Sequence, residues 1–568
     1  MTNKRWVYKP TPGTDLVDHL SQAINVSKPI ATLLCQRGVT DYEQARDFFN
    51  PSLDMLHDPF LMQDMDKAVA RINMAIQNNE GILVYGDYDV DGTTSVALFY
   101  GFLSSFYDHC DFYIPDRYKE GYGVSRLGID QAAENGFTLV IALDCGIKSV
   151  DLIQYARDKG IDFIVCDHHQ PGDTLPPAVA ILDPKRKDCH YPYKELPGCG
   201  IGFKLIQALV DSNSALNADP YDLLDLVAVS IASDIVPITG ENRILVHHGV
   251  ARLNHEPRPG FKALMELAGI QHKASVSGIV FGLAPRINAA GRISHAKMAV
   301  NLLLAASDEE AEQHAQQLNI NNDRRKDFDV GITQQALDMI EESHELRSSK
   351  TTVLFKNDWH KGVIGIVASR CIERYHRPTI ILTESNNKAT GSARSVPGYD
   401  VYSAIEACSD LLEQYGGHRY AAGLTMELDR VEDFRKRFEE VVAGTISEEL
   451  LIPQVNIDAA LMLDSITPNF LKVLERMAPF GPENLRPVFA CEDCEAAGAV
   501  NVLKDEHLKF SVRQKGGAKR FEAIAFGQSR HFEALNSGTR FTMAFATEEN
   551  EYKGMKSIQL NIKDIRFE

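Results

Sequence analysis

Between Gly81 and about Pro237, short apolar runs alternate with stretches of helical periodicity. GILVYG, TLVIAL and FIVC are brief and rich in β-branched residues, whereas TTSVALFYGFLSSF and SVDLIQYARDKG have the length and apolar spacing of helices. This alternation predicts a parallel sheet with helices on its faces, whose ligands gather beyond the carboxyl ends of the strands. Over residues 308–343 the pattern changes. Ala311, Ala315, Leu318, Phe328, Ile332, Ala336 and Met339 recur at threes, fours and their multiples amid dense charge, which predicts one long amphipathic helix connecting two domains. From Thr351 to about Gly444 a second α/β unit follows, with TTVLF and TIILT as strands and VIGIVASRCIERY as a helix. Pro468, Pro479, Pro482 and Pro487 mark residues 455–490 as a linker or docking region. After them VFACEDCEAAGAV, LKFSVRQ, RFEAIAF, TRFTMAFATEE and SIQLNIKDI read as five strands of a small antiparallel barrel, for which the OB-fold is a fit.

Length agrees with several domains, since 568 residues exceed what one core accommodates. With 44% hydrophobic and 24% charged residues the chain is globular rather than disordered. No apolar run approaches the ~18 residues of a membrane span, and MTNKRWVYKPTPG lacks the apolar core of a secretory signal. Ten cysteines without a repeating spacing read as reduced thiols, so a cytoplasmic protein with no membrane partner is expected. Cys491 and Cys494 form a CxxC, but no second pair lies at zinc-site spacing. The net charge of −19 is unevenly spread: residues 455–568 carry 15 Lys and Arg against 16 Asp and Glu, leaving −18 on the first 454. Lys504 to Arg540 holds eight basic residues against four acidic ones, a local footprint compatible with nucleic acid on an acidic protein.

The chemistry concentrates at predicted strand ends. Gly86-Asp87-Tyr88-Asp89-Val90-Asp91-Gly92 follows GILVY, Asp144 follows TLVIAL, and Asp167-His168-His169 follows FIVC. Thr93 and Thr94 are expected to cap the helix after the first of these. An EF-hand is excluded because its twelfth position, counted from Asp87, is Leu98. Any one acid here would be a turn or a cap. Three acid-rich ends in one parallel sheet predict a metal site, and Asp234, behind the apolar LLDLVAVSIAS, is a fourth candidate. Carboxylates with one or two imidazoles favour Mn²⁺ or Mg²⁺ over zinc, and a two-metal pair suits in-line hydrolysis of a phosphoester.

GDYDVDG, LDCG and CDHH, in this order, are similar to the motifs of the DHH phosphoesterases. The likeness extends through residues 37–72, LPGCGIGFKL (196–205), APRINAAGR (284–292), WHKGVIGIVASR (359–370) and GSARSVPGYD (391–400), which resemble the single-strand-specific 5′→3′ exonucleases of that family. GGHRYAAG (416–423) resembles the GGH element of the DHH-associated domain. Together with the pattern this implies an α/β protein: a leader packing on the catalytic domain (1–75), a parallel-sheet DHH catalytic domain (76–250), a helical connector (251–348), a DHH-associated α/β domain (349–450) and an OB-like barrel (451–568).

The resemblance implies Asp89 and Asp91 as metal ligands, Asp144 as the bridging carboxylate, and His168 and Asp234 completing a second site. His169 would face the scissile phosphate, with Asp87 and Asp167 as supporting acids. Many DHH phosphatases have a histidine ligand four residues before Asp89; here that residue is Tyr85, which leaves Asp87 or water to fill the first site. Gly416, Gly417 and His418, read alone, are a helix ending; beside the DHH motifs they become a phosphate contact. Gly362 and Gly365 fit close packing and an anion-binding helix start equally well. Arg117, Arg286, Asn288, Arg292, Ser392 and Arg394 would grip the DNA backbone, with Arg117, Ser392 and Arg394 on a 5′-terminal phosphate. The implied activity is metal-dependent 5′→3′ hydrolysis of single-stranded DNA to mononucleotides in repair and recombination, by a monomer that meets a helicase and a single-strand binding protein. A phosphatase for short oligonucleotides or cyclic dinucleotides would leave residues 455–568 without a task, and a non-catalytic scaffold is opposed by the intact aspartates and histidines.

Overall fold

In the computed structural model, which describes residues 4–213, 216–270, 273–552 and 555–567, the first α/β unit is a sheet of five parallel strands. Their spatial order is Cys110–Tyr113, Gly81–Gly86, Phe137–Leu143, Asp162–Cys166, Ala180–Leu182. The chain leaves Gly81–Gly86 to one side and returns on the other, so a crevice opens where that strand ends beside Phe137–Leu143. Alternate residues face two cores. Ile82, Val84, Ile141 and Leu143 pack with the helices Val90–Ser104 and Gly198–Ser212, whereas Leu83, Tyr85, Val140 and Ala142 pack on the opposite face. Asp89, not a threonine, caps Val90–Ser104: its carboxylate accepts from Gly92 N at 3.0 Å. Thr93 and Thr94 lie inside the first turn, where their hydroxyls donate to the carbonyls of Asp89 and Val90. Asp89 sits one turn earlier and reaches the free N–H groups first.

The long helix runs Asp308–Glu342 and is capped by Ser307, which accepts from Glu310 N. Ala311, Ala315 and Leu318 belong to the catalytic core, while Ile332, Ala336 and Ile340 pack with Leu354, Val363 and Val367 of the second domain. At 35 residues it spans about 50 Å and ties two cores to one rod. The second domain's sheet is mixed: Thr352–Phe355 and Thr379–Ser385 are parallel, and Lys388–Arg394, Ala421–Met426 and Gln414–His418 add antiparallel.

The C-terminal sheet closes on itself, because Phe489–Ala496 pairs with both His507–Gln514 and Phe541–Tyr552. Residues 455–490 are more ordered than a linker. Gln454–Ile457 pairs in parallel with Arg5–Tyr8, and helix Pro468–Glu475 begins on its proline with Thr467 as cap. That pairing redirects the leader. Val17, Leu20, Ile30 and Leu34 bury themselves with Leu463, Leu471 and Phe545 of the barrel region, whereas Leu53, Leu56, Met62 and helix Met65–Gln77 pack on the core of the first α/β unit, where the whole leader was expected. Among the described residues no helix is long and apolar enough to cross a membrane.

The units meet at Arg243, buried on helix Gly240–His255. Its guanidinium donates to the carbonyls of Met477 (2.9 Å), Ala478 (3.0 Å) and Phe48 (3.0 Å) and lies 4.0 Å from the centre of the Phe48 ring. Burial and the neighbouring Arg37 push it down to about 10. Replacing Arg243 by Ala strands these carbonyls and should lower stability by about 3 kcal/mol. Thermal unfolding of the variant would read this out, and an unchanged midpoint would show that the joint is held elsewhere.

Candidate functional site

Parallel strands end together, and here each of four ends on an aspartate or its loop. Asp87 follows Gly81–Gly86, Asp144 follows Phe137–Leu143, Asp167 follows Asp162–Cys166 and Asp183 follows Ala180–Leu182. Asp144 stands in the left-handed region at φ 61° while its N–H continues the ladder to Cys166 O. Helix Gly198–Ser212 points its N-terminus at this edge. A Cβ on Gly198 would come within 2.6 Å of Asp144 Cβ, so glycine permits the approach. The N–H groups of Gly198 and Cys199 donate to the two carboxylate oxygens of Asp91 at 2.7 and 2.9 Å, and Ser230 Oγ adds a third bond at 2.7 Å. The helix dipole supports the same anion.

Around this anchored carboxylate, His168 Nε2 lies 3.3 Å from Asp144, 3.6 Å from Asp234 and 3.8 Å from Asp91. Two groups have donor atoms within 4.8 Å of one another: Asp91, His168 and Asp234, and Asp144, His168 and His169. Asp89 stays at its cap, beside these groups. Burial raises the carboxyls of Asp87, Asp144 and Asp234 well above the usual range, and the charges of Asp89 and Asp91 add to it, Asp89 on all three and Asp91 on Asp144 and Asp234. Asp87 Oδ2, Asp234 Oδ2 and both ring nitrogens of His168 are buried without hydrogen-bond partners. Unbalanced acids and unused donors together fit a divalent cation, and an oxygen-rich set with imidazole fits Mn²⁺ or Mg²⁺. Tyr85 takes no part. Its ring packs on the opposite sheet face, and its hydroxyl donates to Gly123 O and accepts from Ser125 N.

Asp167 organises the histidine loop, accepting from His168 N (2.8 Å), His169 N (3.1 Å), His169 Nδ1 (2.7 Å) and Ile147 N (3.0 Å). Burial pushes its carboxyl up, but the bond to His169 and the charge of both imidazoles overcome this and hold it well below its usual range. With Nδ1 committed, His169 keeps Nε2 for the cleft. Tyr122 was not foreseen: its hydroxyl donates to Asp144 O at 3.1 Å and stands 3.2 Å from His169 Nε2. From the second domain His418 lies nearly parallel to His169, ring centres 6.3 Å apart. Gly416 and Gly417 are in strand Gln414–His418, not at a helix end. Gly417 has φ 144°, and a Cβ there would meet Ala421 O at 2.4 Å.

Beside the carboxylates a cavity of about 400 Å³ opens between the two α/β domains. Arg117, Arg292, Lys361, Ser392 and Arg394 line it, and none of the described lining residues is acidic. Burial pushes Arg292 down to about 9, reinforced by the charges of Arg117 and Arg394. Like charges held this close in a buried setting call for an anion. Gly362 and Gly365 contribute by close packing: a Cβ on Gly365 would lie 2.9 Å from both Ser392 Oγ and Arg394. Arg286 is not brought here. Its three nitrogens are spent on Asn319 Oδ1, Gly282 O and Leu267 O, and neither it nor Asn288 lines the cavity. Lys361 was not foreseen, since one lysine between His360 and Gly362 carries no pattern.

Residues 81–231 match the N-terminal domain of the DHH family, residues 348–444 the DHHA1 domain and residues 457–564 the RecJ OB domain. The chain is 36% identical to the single-stranded-DNA-specific exonuclease RecJ of Bacillus subtilis, over 99% of this chain and 70% of the relative. It is 34% identical to the RecJ of Escherichia coli, over 89% and 90%. It superposes on RecJ of Thermus thermophilus in complex with Mn²⁺ with a TM-score of 0.85 at 27% identity, covering 99% of this chain and 79% of the other. The Mg²⁺ complex of the same protein gives 0.79 at 26% identity, covering 99% and 78%.

Gly198→Ala tests the anchoring of Asp91. Its methyl group collides with Asp144, so the helix must retreat and both N–H bonds lengthen. Mn²⁺ affinity, followed by calorimetry, should fall by about tenfold or more with the fold retained. Wild-type affinity would refute the anchor.

Proposed function

The chain belongs to the RecJ family of single-stranded-DNA-specific exonucleases, and from the layout of its site we propose that it releases mononucleotides from the 5′ end. It is a metal-dependent exonuclease of single-stranded DNA using Mn²⁺ or Mg²⁺. The observation that carries the polarity is the cation-lined cavity beside the carboxylate centre. A terminal phosphate monoester bears more charge than an internal diester. Ser392, Arg394 and Arg117, joined by Arg292 and Lys361, therefore favour a strand end by charge-assisted hydrogen bonds. Anchoring that end at a fixed distance from the carboxylates sets the cut one nucleotide in.

Asp89, Asp91, Asp144, His168 and Asp234 are the proposed ligands, with Asp144 between the two positions. When bound there, divalent cations would supply Lewis acidity at the scissile phosphate and lower the pKa of the attacking water. Asp167 holds His169 so that Nε2 meets the phosphate, and Asp87 supports the first position. His418 with Gly416 and Gly417 approaches the same phosphate from the second domain. The specificity for single strands that its relatives' names carry fits an interdomain cleft that takes one strand at a time. We place the chain in the cytoplasm as a monomer acting in DNA repair and recombination, fed by a helicase and meeting single-strand binding protein on its substrate.

Asp144→Ala and His168→Ala should each reduce hydrolysis by more than ~100-fold without unfolding the protein, and chelation should do the same to the wild type. Undiminished activity of the first variant removes Asp144 as a bridge. A 3′-labelled strand should shorten progressively, whereas a 5′ label should leave at once as mononucleotide; the opposite pattern overturns the polarity. Arg394→Ala should cut the preference for a 5′-phosphate over a 5′-hydroxyl about tenfold while the metal requirement persists.

A further inference from the structure

Along the carboxyl edge of the catalytic sheet, the arginine cavity draws Arg117 from the loop beyond Cys110–Tyr113, and the carboxylate centre occupies the ends of the next three strands. Beyond Asp162–Cys166 and Ala180–Leu182 lies a second cavity of about 560 Å³, lined by His168, His169, Lys185, Lys194, Glu195 and His418. In strand order the two cavities therefore lie on either side of the metal centre, the second sharing His168 and His169 with it.

The rim of this second cavity is built rather than loose. Asp183, fully buried, accepts from Lys185 N at 2.8 Å, and its other oxygen has no partner. Of the other cations of the loop, Arg186 is held by Asp64, Asp188 and Ile181 O, Lys194 donates to Cys189 O, and Lys187 is exposed and does not line the cavity. Lys185 keeps its ammonium available, with one ion pair, to Glu195 at 3.6 Å. It lines the same cavity as His168, His169 and His418, on the flank of the metal centre. The cavity wall continues toward the barrel. Asn242 donates to Glu195 O (2.6 Å) and Pro237 O (3.0 Å), and Ile238 N donates to Pro482 O (2.9 Å) at the barrel's foot.

We propose that this second cavity is a subsite for the phosphodiester immediately 3′ of the scissile one, with Lys185 as its cation. Three sites in strand order then receive three successive phosphates: the terminal one among the arginines, the scissile one at the carboxylates, and the next at Lys185, from which the strand runs on to the barrel. Lys185 is a binding residue here, and Asp183 positions it through the loop.

The inference rests on the 5′-end reading, and short substrates distinguish the two. A 5′-phosphorylated deoxynucleotide dimer (pdNpdN) has only a terminal and a scissile phosphate; the trimer adds the phosphodiester in question. For the full-length protein with Mn²⁺, kcat/KM for release of the first nucleotide should rise about tenfold from dimer to trimer, the worth of one contact to a charged group. Lys185→Met, which keeps the aliphatic stem, should bring that ratio close to one, and Lys185→Arg should restore most of it. A wild-type ratio near one overturns the subsite. So does an unchanged ratio in Lys185→Met, including the case in which both substrates slow alike, because that marks a role at the scissile phosphate or in folding. Release from the 3′ end by the wild type would overturn the parent reading and the subsite with it.

Discussion

Everything at the catalytic edge depends on a positive potential supplied by backbone. Carboxylates converging on one buried crevice repel one another, and burial raises the energy of each charge. The N-terminus of helix Gly198–Ser212 counters this with two N–H groups on Asp91, which hold that carboxylate in one orientation whether or not its neighbours ionise. Gly198 is the geometric condition for that contact, and the left-handed turn at Asp144 is its counterpart across the gap. The same division recurs in the histidine loop, where Asp167 commits its acceptor capacity to local donors so that His169 and His168 can face outward. One set of groups is satisfied within the protein; the other is left with unused valence toward a ligand.

Much of this was legible in the chain. Short continuous apolar runs and helical runs in alternation sufficed for the parallel sheet, and acids at strand ends sufficed for its functional edge, because in-register strands bring their termini together. The long helix was equally plain, since its periodicity persists over 35 residues. What stayed hidden is what packing decides. The leader's amphipathic helices carry an apolar face but no mark of which core it will meet, and the strand Arg5–Tyr8 settles that by pairing with Gln454–Ile457 from the far end of the chain. Arg286 and Arg292 stand on one helix with similar local sequence, yet one is consumed by carbonyls and the other enters the cavity. Asp183, Tyr122, Lys185 and Lys361 are single residues in loops, without period or spacing to announce them. Asp183 was the most accessible, since AILD repeats the pattern of an apolar run ending in aspartate.

The two α/β domains are not independent jaws. The long helix contributes to both cores, and the residues lining the cation cavity come from both sides, so the spacing between cavity and carboxylates is set by packed secondary structure rather than by a flexible linker. A site that measures from a strand end requires such rigidity, because an error of about an ångström in that spacing misplaces the scissile bond.

The pairing of Arg5–Tyr8 with Gln454–Ile457 also sets an order of events during synthesis. The leader is synthesised well before the surface that covers Leu20, Ile30 and Leu34. At ~5–20 residues per second, translation of the intervening chain takes on the order of half a minute or more. Throughout that interval the catalytic domain can assemble while the leader's apolar helices remain without their partner. The leader therefore reaches its native place only after the barrel region has been made and has closed, whatever the order in which the rest of the chain folds.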